Sequence, residues 1–132
     1  MNLPQQQSEL VTTAESLIRE FVQKRDRFAM FSLVMYPNGE IKALQPTAEL
    51  PDAKSALTET LGVLFPVARS GQIVACIICT PVDDGGAKLA ILDVESQGGG
   101  RAIGVLPYKK LSDGWSFGEK EFTRDVPKAF AT

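Results

Sequence analysis

The segment Gln72–Thr80, QIVACIICT, constrains this chain more than any other, because Ile73 to Cys79 are apolar at every position. A strand of that kind offers no face to solvent. It must be covered on both sides, which places it at the centre of a sheet with packing layers above and below. The remaining residues have to supply those layers, and 132 of them suffice for one compact core but not two. We therefore expect a single domain over 1–132.

The same segment carries Cys76 and Cys79, a literal CxxC. A redox dithiol at that spacing needs a helix N-terminus to lower the first thiol's pKa, and a zinc site needs further ligands. Here the neighbours are Ile, Val and Ala, and positions three apart on a strand point to opposite faces. The chain has no histidine and no third cysteine. The expected role is packing, with each thiol acting as a small hydrophobe, so we expect no metal ligands and no cofactor.

Helical periodicity precedes the central strand. Leu10, Ala14, Leu17, Ile18, Phe21 and Val22 recur at three- and four-residue steps, with acids early and Lys24, Arg25 and Arg27 late, as a helix dipole favours. Residues 1–7 read as a flexible lead. A strand over Phe28–Tyr36 and its partner Ile41–Leu44 flank Pro37-Asn38-Gly39, a type I turn with a G1 bulge. Within that first strand Ala29, Phe31, Leu33 and Met35 should meet a helix, whereas Ser32 and Tyr36 on the other face read as partly exposed. Gln45–Leu50 is a connector. Pro51-Asp52 then opens a second helix through Ala56, Leu57, Leu61, Leu64 and Phe65, which Pro66 should end.

After Arg69-Ser70-Gly71 come three strands: the central one, stopped by Pro81; Lys88–Glu95; and Arg101–Leu106, stopped by Pro107. Their short links, Asp83-Asp84-Gly85-Gly86 and Gly98-Gly99-Gly100, require antiparallel neighbours. On Lys88–Glu95, Leu89, Ile91 and Asp93 share one face and Ala90, Leu92 and Val94 the other. The expected fold is α+β, a single antiparallel sheet of about five strands flanked by two helices in the order α-β-β-α-β-β-β. Tyr108 to Thr132 is expected to wrap the core irregularly or in short strands, carrying Trp115, Phe117, Phe122, Val126 and Phe130.

Chemistry-bearing groups are sparse. Without histidine there is no Ser-His-Asp or Cys-His device. The run Ser96 to Arg101 is glycine-rich but matches neither GxxxxGK[ST] nor GxGxxG and leads into a strand, so it reads as a hairpin loop rather than a phosphate cradle. Asp83-Asp84 lacks the further oxygens of a calcium loop. Asp93 and Glu95 share a strand face about 6–7 Å apart, a separation open to acid–base work, yet an edge of the sheet reaching solvent is the better account. No catalytic residue is assigned. Arg101, Tyr108 and Lys109 remain as weak ligand-site candidates, a cationic cluster with a phenol that suits a carboxylate or phosphate.

Fourteen basic and 16 acidic residues give a net charge of −2 without a basic block, which argues against nucleic acid as a partner. No apolar run reaches about 18 residues, so no membrane span is expected. The opening MNLPQQQSEL lacks a charged stretch followed by an apolar run, so no secretory signal is expected and the cytoplasm is the expected location.

The element order resembles profilin-like and roadblock-type domains over residues 9–107, folds that often serve as homodimerising platforms or small-molecule sensors. The stretches FSLVMYPNGEI, LAILDVES and AIGVLPYKK are similar to a family of small uncharacterised bacterial proteins of about this length. Fold-level likeness does not supply a function; the expected one is a non-enzymatic binding or scaffold protein that pairs with itself through a sheet surface or edge, with Ser32, Tyr36, Asp93 and Glu95 as exposed-face candidates. The alternatives are a small-ligand or anion-binding sensor around Arg101, Tyr108 and Lys109, and an immunity or inhibitor protein docking onto a protein partner.

Overall fold

The computed structural model describes residues 2–44 and 53–130, the side chains of 53–58 and of residue 84 apart. The connector expected at 45–50 and the Pro51-Asp52 helix start lie outside the described residues. The described chain runs α1 (Gln5–Arg25), β1 (Phe31–Met35), β2 (Ile41–Leu44), α2 (Ala53–Arg69), β3 (Ala75–Asp84), β4 (Ala87–Ser96), β5 (Gly100–Leu111), β6 (Gly114–Phe117) and β7 (Glu121–Asp125). This is an α+β fold with a seven-stranded antiparallel sheet in the order β2-β1-β3-β4-β5-β6, β7 pairing beside β6 on the same edge of β5. The expected α-β-β-α-β-β-β order is present, and two further short strands take up part of the tail.

β3 lies between β1 and β4, and Ala75 to Cys79 are buried on both faces. Cys76 and Cys79 do point to opposite sides, each into a separate core. Over one face, Leu10, Val11, Ala14, Ile18 and Val22 of α1 pack on Phe31, Leu33, Met35, Ile77, Cys79, Leu92 and Val94. Over the other, Leu64 and Ala68 of α2 pack on Met30, Val34, Cys76 and Ile78. Burying a Leu, Ile or Val side chain contributes about 1.5–3 kcal/mol, and Leu10, Ile18 and Val22 are each 0% exposed. That stripe seats α1 on the sheet.

α1 begins earlier than the sequence predicts. It starts at Gln5, so the lead expected to be flexible over 1–7 is partly helix, and its first turn contains no acid. The reason is Gln7, 1% exposed, whose Nε2 donates to Ser96 Oγ at 2.9 Å, Gly99 O at 3.1 Å and Gly100 O at 3.0 Å. The amide ties the start of the helix to the β4–β5 turn. A Cβ on Gly99 would collide with Ser96 Oγ and lie 3.2 Å from Gln7 Nε2, so Gly99 is the close-packed position of the turn, while Gly98 and Gly100 supply its positive φ. At the other end Asp26 takes the left-handed conformation, its N–H donating to Val22 O at 2.8 Å.

Three prolines expected to end elements lie inside them instead. Pro66 is within α2, where it and Gly62 are both exposed, so the carbonyl deprived of a donor meets water. Pro81 continues β3, because β1 stops pairing at the Phe31↔Cys79 register and the strand is an edge beyond that point. Pro107 continues β5 in the gap between its β7 partners (101–105) and its β6 partners (108–111), accepting Gly118 N–H at 2.8 Å. The β1–β2 turn forms as expected, with Gly39 at φ +90° and Tyr36 N–H donating to Glu40 O.

Candidate functional site: the half-covered sheet face

Antiparallel register fixes which side chains share a face. On the α2 side the rows run Ser32–Ile78–Asp93–Ile103–Thr123 and Val34–Cys76–Glu95–Arg101–Asp125. Two more follow toward the other end of β4 and β5: Thr80–Ile91–Val105–Glu121 and Val82–Leu89–Pro107. α2 covers the β1–β3 half of this face. Val82, Leu89, Ile91, Ile103, Val105 and Pro107 keep intermediate exposure and belong to neither core cluster. They form an apolar field on the β3–β5 half.

The charged end of the face is built tightly. Arg101, 7% exposed, binds Asp93 through two parallel bonds, Nε to Oδ1 and Nη2 to Oδ2, both 2.8 Å. Its Nη1 reaches Val126 O at 3.2 Å and lies 3.5 Å from Asp125 Oδ2. The Asp93 hydrogen bond raises the guanidinium pKa against the opposing pull of burial. Glu95, 4% exposed, accepts three main-chain bonds: Oε2 from Lys128 N–H at 2.9 Å and Phe130 N–H at 2.7 Å, Oε1 from Ala129 N–H at 3.0 Å. Asp93 and Glu95 share a face as expected, but each is committed to a separate partner and they do not form an acid–base pair.

The exposed-face candidates therefore divide. Ser32 is 0% exposed and donates to Leu44 O at 3.0 Å, and Glu95 is buried under the C-terminal segment, so neither is a surface group. Tyr36 is half-buried with Lys42 Nζ 5.5 Å from its ring centroid. The Arg101, Tyr108, Lys109 cluster does not converge. Arg101 and Lys109 share a face, but eight residues of strand separate them by about 26 Å. Tyr108 points to the α1 side, packed among Phe28, Trp115 and Phe117. Burial raises its phenol pKa, with Asp83 adding to the effect, which is opposite to activation for proton transfer.

Elsewhere the chemistry is structural. Burial raises both thiol pKa values, with Glu95 and then Asp93 adding to the effect at Cys76, so neither is a nucleophile. Asp83 pairs with Lys88 at the β3–β4 turn, where Gly85 and Gly86 take positive φ. A depression of about 530 Å³ lined by Gln23, Leu111, Asp113, Gly114 and Trp115 holds one titratable side chain, Asp113. Among the described residues no group of three or more His, Cys, Asp or Glu is placed to hold a metal ion, and no helix is long and apolar enough to cross a membrane.

Sequence alternation grouped Leu89, Ile91 and Asp93 correctly. What it lacked was the knowledge that the described side chains of α2 pack on β1 and β3, since that follows from tertiary placement. Comparisons of the chain with family models, with curated proteins and with solved structures find no match.

Proposed function

We propose that this protein is a non-enzymatic association module whose working surface is the apolar field on β3, β4 and β5, and that a second copy of the chain is its partner. The observation that carries this reading is the field itself: six partly exposed apolar side chains on one sheet face, outside both core clusters, beside a helix whose described side chains pack on β1 and β3. Contiguous apolar surface of this kind marks association sites in soluble domains. Lys109 lies at one end of the face and Asp125 at the other, so a two-fold axis that lies in the face and crosses the strands would set unlike charges against each other.

The resemblance to roadblock-type and profilin-like platforms belongs to this proposal, as does the cytoplasmic setting suggested by two free thiols. A ligand pocket around Arg101, Tyr108 and Lys109 is disfavoured by their divergence.

The test is solution mass by light scattering across micromolar concentrations, for the native chain and for Ile91→Glu and Val105→Glu. The native chain is expected at twice the monomer mass and each variant at the monomer mass, because a carboxylate in a dry interface loses its hydration. A native chain that stays monomeric throughout would overturn the proposal.

A further inference from the structure

Beyond β7 the chain leaves the sheet edge and crosses onto the α2 face. From Val126 to Phe130 it makes no ladder bond. Most of its polar anchoring comes from one side chain: three consecutive main-chain N–H groups, those of Lys128, Ala129 and Phe130, converge on the Glu95 carboxylate. Arg101 adds a single bond to Val126 O. Only Ala129 is deeply inserted, 2% exposed, in the core that holds Leu64, Ala68, Ile73 and Cys76, with Phe130 partly buried beside it. Val126 is 73% exposed, and Pro127 and Lys128 are also exposed.

This arrangement reads main chain rather than side chains. A buried carboxylate facing consecutive amide donors selects a turn conformation, and the small slot beside it selects alanine-sized side chains. Glu95 is held ready for that task by its strand: it sits on β4 between Cys76 and Arg101, and Arg101 is itself occupied by Asp93. The segment filling the cradle must give up the conformational freedom of five residues for those few contacts, the balance that produces local opening below the global unfolding free energy.

We propose that the Glu95 cradle is a peptide-docking site, filled in cis by the chain's own Val126–Phe130 and able to take a turn of the same chemistry, small residue then aromatic, in trans. Docking in trans displaces the resident segment from the α2 face. The proposal does not depend on self-association through the apolar field, because its contacts are confined to Glu95, Arg101 and the core beneath Ala129.

The experiment uses the full chain, isotopically labelled, and a capped synthetic peptide with the sequence of residues 125–130. Saturating peptide is expected to speed exchange of the Lys128, Ala129 and Phe130 amides by about tenfold or more, leaving the β3 and β4 amides unchanged. In Glu95→Gln the three amides are expected to exchange rapidly without peptide and to ignore its addition, while slow β3 and β4 amides show that the variant is folded. A control peptide with tryptophan in place of the alanine should have no effect. Two results would overturn the proposal: exchange of the three amides only at the rate of the β3 core, whatever the peptide concentration, or an equal peptide effect on the native chain and on Glu95→Gln.

Discussion

Replacing Gln7 tests whether one buried amide seats the first helix. In the native fold its Nε2 serves Ser96 Oγ and the carbonyls of Gly99 and Gly100, at 2.9, 3.1 and 3.0 Å. Gln7→Ala leaves those three acceptors in a closed space and removes the side chain that fills it. An orphaned buried polar group costs about 1–3 kcal/mol, and part of that cost is relieved because Gly99 and Gly100 are half-buried and can reach water. With the packing loss added, we expect Gln7→Ala to destabilise by about 2–4 kcal/mol, which in a chain of this size lowers Tm by about 6–16 °C. Gln7→Leu separates the two effects, since it restores volume without a donor, and should recover less than half of the loss. Gln7→Glu adds a sign. Only a protonated carboxyl can donate to those acceptors, so its pKa in the folded state is raised above the usual value of about 4.3. The variant is then most stable below that pH and loses stability as pH rises through the folded pKa. Urea unfolding followed by the fluorescence of the single tryptophan, Trp115, measures all three. A loss under about 0.5 kcal/mol for Gln7→Ala, the scale of an ordinary surface substitution, would refute the reasoning.

Two further outcomes follow from packing and from the thiols. Gly104→Ala puts a Cβ 2.3 Å from Phe122 Cε1 across the β5–β7 pair, so the ring must move; we expect a loss of about 1–3 kcal/mol by urea unfolding, and a variant as stable as the native chain would count against the pairing. Cys76 and Cys79 should resist a thiol reagent until the chain unfolds, and rapid native labelling would contradict their burial. Because burial raises both folded pKa values above the unfolded one, their contribution is complete below the unfolded thiol pKa. Above about pH 9 it should fall by about 1.4 kcal/mol per thiol per pH unit, readable in alkaline unfolding curves.

Several of the decisive features were local enough to read from residue order. The doubly buried β3, the Pro37-Asn38-Gly39 turn and the apolar stripe of α1 depend on neighbouring positions and on periodicity. The three prolines were misread because proline ends an element only where its missing N–H is needed, and edge status is decided by partners distant in sequence. Ser32 looked exposed because a hydroxyl among apolar residues is normally placed toward solvent. The Leu44 carbonyl that satisfies it becomes a neighbour only when β2 folds back. Glu95 was misread for a related reason: its partners lie more than thirty residues downstream and are main-chain amides, which carry no sequence signature. At the candidate site, alternation grouped the apolar side chains of β4, but which of them join a core cluster is decided by helices placed through tertiary packing.

The two outer margins of the sheet bear on how a chain with such an apolar surface avoids adding strands from other molecules. One margin is β2, four residues long with Lys42 exposed. The other is divided between β6 and β7, with residues 118–120 interrupting the line. Neither presents a long, flat row of free amides and carbonyls, so neither is a good template for adding strands from other molecules. Growth of open-ended, fibre-like assemblies along the strands is thereby blocked, and the proposed face-to-face pairing would close after two copies.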